Sequence, residues 1–323
     1  MSVVSRLVSL ARPRGAVLIS SLPLVGYGFG LWERGSDIAP WYALPTVLGL
    51  VGVWVIGHAG AMWLNAELDR DEGAVLFGEP VVVPRGTAAL GYAALAVSVS
   101  LAFLLSPIVG GCAVANAVLS VLYSHPGVAL KGHPFGGPLV NGAGYGTLSP
   151  IAGWAVSGTP FTWRTALVVG LGAFFVLGVY FSAQAFQQAE DGARGYRTLV
   201  VTHGPRATLV AARACLLVSS LGMSAAALWG AFPRVAFVSI PVWLLADRHL
   251  VRWRDKGDGG TGQDSARLVG WLALGILVGI VAVYVDHFVA MSRGAPLGGC
   301  GTAIVPDALV ELCARRFPPA GLN

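Results

Sequence analysis

Asn65 and Asp69 stand four residues apart at the end of a long apolar segment, and Gln187 and Asp191 repeat that spacing at the end of another. A separation of four places both side chains of a pair on one helical face. Polar clusters at membrane depth or at its edge are costly to keep, which marks them as functional-site candidates. Oxygen ligands converging from two helices suit a hard divalent cation. Magnesium in particular needs only one or two carboxylates when phosphate and water complete its shell. A hard cation inside a membrane points in turn to a phosphorylated lipid as its client.

The first cluster continues through Asp71 and Glu72, so Asn65, Asp69, Asp71 and Glu72 are candidate metal ligands. The second contains Gln184, Gln187, Glu190 and Asp191, followed by Arg194 and Arg197. Carboxylates beside arginines offer a metal ligand together with charge-assisted bonds to phosphate oxygens. The plainer alternative is that Asp191 simply pairs with Arg194 or Arg197 on a polar loop. Between the clusters, Tyr123-Ser-His-Pro-Gly-Val-Ala-Leu leads into Lys131, the only lysine outside residues 247–266 and a candidate phosphate contact. His58 lies seven residues before Asn65, two turns deeper on nearly the same face. There it could orient an acceptor, take a proton, or sit as a satisfied core histidine.

The elements that position these residues follow from composition. Of 323 residues, 55% are hydrophobic and 11% charged, against about 25% charged in a soluble domain, and the mean hydropathy is +0.70. This is the profile of an all-α polytopic membrane protein, expected to form one membrane domain over residues 1–290 with a tail over 291–323. The 44 glycines suit close helix packing in lipid. The net charge of +5 comes without a basic run interleaved with aromatics, so no nucleic-acid partner is expected. Residues 1–15 carry Arg6, Arg12 and Arg14 without a cleavage-site pattern before the first apolar run, and the first segment is expected to be retained.

Nine apolar segments can be drawn, at about 15–32, 42–64, 87–105, 107–122, 139–157, 165–187, 207–229, 231–246 and 267–290. With the N-terminus inside, fifteen Lys and Arg residues fall on the inner side and six on the outer. The bias predicts a multi-pass protein of the cell's inner (plasma) membrane, with a cytoplasmic N-terminus and an outer C-terminus. The 65–86, 123–138 and 184–206 connections then share the cytoplasmic face with both clusters and Lys131, and 247–266 reads as a mobile inner loop. Cys112 and Cys215 read as packing residues. Cys300 and Cys313 share the tail, where they could pair in an oxidising compartment, and a short helix is drawn over 306–316.

Taken in order, Ala11-Arg-Pro-Arg14, the Asn65 to Asp69 pair, Tyr123-Ser to Leu130-Lys131-Gly132, Asn141 with Gly144-Tyr145-Gly146, and Asp191 to Arg197-Thr198-Leu199 resemble the UbiA superfamily of intramembrane prenyltransferases, over about residues 10–290. The resemblance implies nine transmembrane helices around a central cavity, with an inner-loop cap over a magnesium-bound isoprenyl diphosphate. It also implies transfer of the isoprenyl group to a lipophilic or aromatic acceptor drawn from the membrane lipid phase. Carried over by position, Asn65, Asp69 and Asp191 would hold magnesium, and Lys131, Arg194 and Arg197 would grip the diphosphate, with Tyr123 and Asn141 alongside. Tyr145, Gln184, Gln187 and His58 are candidates for contacts to the isoprenyl group or the acceptor. Trp63, Tyr123, Tyr145, Trp154, Tyr180 and Phe186 could stabilise an allylic cation by about 0.5–2 kcal/mol each.

The chain departs from the family pattern at Ala66 and Gly73, and at Gln184 and Gln187, where aspartates are common. Asp71 and Glu72 are near enough to substitute in the first motif. A glutamine carbonyl can ligate a metal, as assigned to Gln187, but supplies no charge. A UbiA-type terpene cyclase therefore stays open as an alternative. A transporter or noncatalytic scaffold is a third reading, opposed by the lack of an internal repeat and by polar groups gathered at helix ends rather than at the midplane.

Overall fold

In lipid every backbone polar group must be satisfied within the protein, which leaves helices or a closed barrel. The apolar runs of this chain take the first solution. The computed structural model describes residues 2–35, 44–69 and 81–292, and among these there are helices and no strands. In chain order they are α1 (Val3–Leu10), α2 (Pro13–Arg34), α3 (Leu44–Asp69), α4 (Thr87–Leu105), α5 (Pro107–Ser124), α6 (Gly136–Ala143), α7 (Ser149–Val156), α8 (Trp163–Gln184), α9 (Gln188–Ala193), α10 (Leu199–Leu228), α11 (Ile240–Lys256) and α12 (Gly262–Ser292). Asp71, Glu72, Cys300, Cys313, the 306–316 segment and the tail from 293 lie outside the described residues.

Among the described residues seven helices are long and apolar enough to cross a membrane: α2, α3, α4, α5, α8, α10 and α12. The other two segments drawn from the sequence take a different form. The 139–157 run is divided into α6, one π turn over Gly144–Leu148, and α7. The wide turn is held by hydroxyls reaching back five residues, Thr147 Oγ1 to the Gly142 carbonyl at 3.1 Å and Ser149 Oγ to that of Gly144 at 2.9 Å. The 231–246 run starts as a 3-10 turn over Arg234–Ser239 and continues as α11, which carries on to Lys256. Most of the expected 247–266 loop is therefore helix. Its charges masked a buried stripe of Ala246, Leu250 and Trp253, and Arg213 of α10 grips Asp247 through two bonds of 2.6 and 3.0 Å.

Polarity is inverted relative to a soluble protein. Leu104 is 81% exposed and Leu221 66%, an outer surface that suits lipid and would be a liability in water. Between helices, small residues set the spacing. α3 and α4 cross at Gly60 and Gly91, where a Cβ on either would meet the other's carbonyl oxygen at 2.9 and 2.8 Å. That crossing fixes the helix that bears His58, Asn65 and Asp69. Cys112 is buried and Cys215 half-buried, both as free thiols in helix packing.

Candidate active site

The C-terminal ends of α3, α5 and α8 and the start of α2 meet at one end of the bundle. Ser124, the last residue of α5, donates to Asn65 Oδ1 at 3.1 Å, and Trp63 of α3 donates to the Leu7 carbonyl of α1 at 2.8 Å. From this polar end a cavity of about 360 Å³ runs between the helices. Leu18, Leu22, Met62, Ala117, Val176 and Val179 supply apolar wall.

Asn65, Asp69 and Lys131 form one unit. The Lys131 ammonium is ion-paired with Asp69 and lies 3.4 Å from Asn65 Oδ1, and the Lys131 and Asp69 side chains are only 8% and 4% exposed. Burial pulls the Lys131 ammonium down to about 7, Arg194 pushes the same way, and Asp191 opposes. A buried ammonium needs a charged partner, and Asp69 is that partner. Lys131 is presented by a 3-10 turn, Leu130–Gly132, entered through Ala129 at φ 41°. Among the described residues only Ala129 and Arg12 (φ 49°) are non-glycine residues with positive φ. One sets up the Lys131 turn, and the other lines the cavity as the cap of α2. Left-handed backbone costs an L-residue about 1–2 kcal/mol, and such outliers gather at functional sites.

The second cluster keeps the i, i+4 spacing of Gln187 and Asp191 but not its expected place at the end of the apolar helix. α8 stops at Gln184, and Asp191 stands on the separate six-residue α9, with its N–H bonded to the Gln187 carbonyl at 2.9 Å. Its buried carboxylate accepts from Thr198 Oγ1 at 2.8 Å. Burial raises the Asp191 carboxyl, while Thr198, Arg194 and Lys131 lower it. The following residues clasp the Lys131 turn. The Tyr196 N–H bonds the Asp191 carbonyl at 2.9 Å and the Arg197 N–H bonds that of Gly132 at 2.8 Å. Tyr196 lies flat against Gly132, where a Cβ would come within 2.6 Å of the ring, and Lys131 Nζ stands 5.9 Å from the ring centroid. Arg194 pairs with Glu190 at 2.8 Å.

The cavity wall brings together His58, Asn65, Asp69, Tyr123, Lys131, Asn141, Tyr145, Gln184, Gln187, Asp191 and Arg194. It does not include Arg197, whose side chain is exposed and whose backbone alone joins the clasp. Tyr123, Tyr145 and Tyr180 line the cavity. Trp63 packs toward α1, Trp154 against Phe29, and Phe186 toward Gly262. Arg12, Glu190, Tyr196 and Asn116 also line it, although none of the four is assigned a role of its own at the site from sequence alone. The Arg-Pro junction that starts α2 was the signal for Arg12, and the Glu190–Arg194 spacing was the signal for Glu190.

At the polar end of the cavity, the donors from α3 and α9 are amide and carboxylate oxygens of Asn65, Asp69, Glu190 and Asp191. Among the described residues no group of three or more His, Cys, Asp and Glu side chains forms a self-sufficient metal site. Asn65, Asp69 and Asp191 therefore fit an oxygen-preferring cation whose shell is completed by a phosphate ligand and water, rather than a closed protein cage. Lys131 already shows that the Asn65 and Asp69 oxygens collect positive charge.

A profile of the UbiA prenyltransferase family matches residues 21–263. The fold is similar to that of a UbiA homolog from Archaeoglobus fulgidus bound to DMAPP and Mg2+, with a TM-score of 0.63 and 18% identity over 87% of this chain and 99% of the other. The same homolog bound to GPP and Mg2+ gives 0.57 and 16% over 86% and 99%. The apo structure of a UbiA homolog from Aeropyrum pernix K1 gives 0.60 and 20% over 83% and 97%. No curated protein sequence matches the chain.

Proposed function

The chain belongs to the UbiA prenyltransferase family, and on that premise we propose that it moves an isoprenyl group from an isoprenyl diphosphate to a hydrophobic or aromatic acceptor, with Mg2+. The observation that carries this reading is the convergence of Asn65, Asp69, Lys131, Asp191 and Arg194 on the polar end of one largely apolar cavity. The similar folds bound to DMAPP or GPP with Mg2+ support it.

In this reading Asn65, Asp69 and Asp191 would hold Mg2+, and Gln187 could add a neutral carbonyl oxygen. Bound Mg2+ would supply Lewis-acid stabilisation of the leaving diphosphate. Lys131 and Arg194 face the phosphate oxygens and stabilise the charge that builds there as the C1–O bond breaks, its electron pair leaving with the diphosphate. Lys131 exchanges its bond to Asp69 for one to phosphate. The apolar wall keeps water from the allylic cation, and the Tyr123, Tyr145 and Tyr180 rings face it. An acceptor π bond then supplies the electrons of the new carbon–carbon bond, and the displaced proton leaves on the diphosphate. With the N-terminus cytoplasmic, the polar end of the cavity faces the cytoplasm, where soluble diphosphates and Mg2+ are at hand.

Purified protein in lipid nanodiscs, given GPP or DMAPP, is expected to release diphosphate with Mg2+ and to stop when EDTA removes the metal. Release unaffected by EDTA would sink the metal-assisted mechanism. Cyclic hydrocarbon formed at full rate without any acceptor would replace transfer by cyclisation.

A further inference from the structure

The turn between α11 and α12, residues 257–261, stands apart from the cavity wall and is tied down by its own side chains. Trp253 donates its indole N–H to the Gly259 carbonyl at 3.0 Å in a buried bond. Asp264 accepts from the Thr261 N–H at 3.0 Å and hydroxyl at 3.2 Å through Oδ2, and from Lys256 at 3.2 Å through Oδ1. Bonds to an ionised carboxylate are among the stronger ones available to a loop.

This turn rests against both ends of the connection that carries Asp191. A Cβ on Gly259 would stand 2.7 Å from the Ala185 carbonyl oxygen and 3.2 Å from Pro205. Gly262, the first residue of α12, lies against the Phe186 ring, with 3.7 Å between its Cβ position and Cζ. Ala185 and Phe186 are the residues at which α8 gives way to α9, and Pro205 belongs to α10, the helix that Thr198 caps. The Gln187 N–H bonds the Gln184 carbonyl at 3.0 Å and the Asp191 N–H bonds that of Gln187 at 2.9 Å, so a shift in the last turn of α8 reaches Asp191 through two backbone bonds.

Resting on the reading that Asp191 serves the bound diphosphate and its metal, we propose that the α11–α12 turn is a wedge behind the second wall and that Gly259 is a positioning residue for Asp191. With no side chain at 259, backbone packs on backbone, and the end of α8 stays where Asp191 lines the cavity. A methyl there must push the Ala185 carbonyl away, because backbone cannot swing aside as the tip of a long side chain does. Ala185 is fully buried in one cluster with Leu209, Leu250 and Trp253, and a close-packed interior passes such a displacement on. Gly259 also has φ 81°, where any L-residue is strained. Gly257, at φ 79°, makes the same backbone demand with nothing within 4 Å of a Cβ, so the two glycines separate strain from contact.

The test uses the purified full-length protein in lipid nanodiscs, with Mn2+ as an EPR-visible substitute for Mg2+ and inorganic diphosphate as the anion. Gly257→Ala and Gly259→Ala are both expected to lower the melting temperature. Only Gly259→Ala is expected to weaken Mn2+ binding in the presence of diphosphate, by about tenfold, the lower end of what loss of a supporting residue costs a metal site. The KM for GPP should rise with it, while kcat changes by less than about threefold. In an Asp191→Asn background Gly259→Ala should change Mn2+ affinity by less than about twofold, since the group it positions is already lost. Trp253→Phe, which frees the Gly259 carbonyl without adding bulk, should weaken Mn2+ binding by about threefold, the scale of one lost hydrogen bond, and carries the test if Gly259→Ala does not fold. Equal Mn2+ affinities in the two glycine variants, or an undiminished effect in the Asp191→Asn background, overturn the positioning role and leave prenyl transfer standing. Wild type that neither binds Mn2+ with diphosphate nor releases diphosphate from GPP overturns the underlying reading as well.

Discussion

Asn65 and Asp69 are carried to the cavity by the last turns of an unbroken 26-residue helix, whereas Asp191 arrives on a six-residue helix set off from α8 by a short break. On the first wall, position comes from helical register and from the Gly60–Gly91 crossing, and the charges hold one another through the Lys131–Asp69 pair. On the second, position comes from tertiary bonds. Thr198 holds the Asp191 carboxylate, and the Gly132 carbonyl holds the chain at Arg197. The first wall should therefore be most sensitive to changes of charge, and the second also to changes in residues that touch no ligand.

The largest effects should come from the carboxylates, and they should differ in kind. Asp69→Ala and Asp191→Ala are each expected to slow diphosphate release by about 100-fold or more, the usual scale for removing a group that stabilises transition-state charge. Only Asp69→Ala should also lose about 3–5 kcal/mol of stability, because it strands a buried ammonium. Adding Lys131→Met to Asp69→Ala should restore the melting temperature and leave the protein inactive, since two apolar groups replace a buried pair at little cost. Thermal unfolding in detergent, run beside a diphosphate-release assay, separates the two losses. If the double variant melts as low as Asp69→Ala, the pair is not what steadies this wall.

A smaller effect should mark the clasp. Gly132→Ala pushes a methyl into the Tyr196 ring, and overpacking of this kind costs about 1–3 kcal/mol. Because Tyr196 and Arg197 link Asp191 to the Lys131 turn, the KM for GPP is expected to rise by about tenfold. Gly52→Ala on α3 is the control, since nothing lies within 4 Å of a Cβ there, and it should leave the KM within about twofold. Equal responses would show that the clasp does not position Asp191.

The same contrast governs what could be read in advance. The alignment of Asn65 with Asp69 was legible because α3 stays helical through both residues, and Pro126-Gly127 announced the turn that delivers Lys131. The break after Gln184 was not, because Ala185, Phe186 and Gln187 include neither glycine nor proline. Asp191 still lines the cavity, but from α9 rather than from the end of the apolar helix. The apolar run at 139–157 was visible, but its π turn depends on Thr147 and Ser149 bonding back to carbonyls, a geometry that hydropathy does not encode. α11 was cut short because Arg248, Arg252 and Arg254 hid a buried face ending at Trp253.

Arg197 gives the smallest expected effect and the sharpest test of the second wall. The family resemblance implies that its guanidinium grips the diphosphate, but its side chain is exposed and only its backbone N–H is engaged, with the Gly132 carbonyl at 2.8 Å. Alanine keeps that N–H, so Arg197→Ala should change kcat and the KM for GPP by less than about threefold, while Arg194→Ala, at a position on the cavity wall, costs considerably more. Proline has no N–H to give, so Arg197→Pro should loosen the clasp and raise the KM for GPP at least as far as Gly132→Ala does. Steady-state kinetics of the three arginine variants decide the matter. A severe loss in Arg197→Ala would mean that the segment after α9 folds further inward when diphosphate binds and carries the guanidinium with it. The second wall would then be a closing element rather than a fixed one, and the contrast with α3 would be one of motion as well as construction.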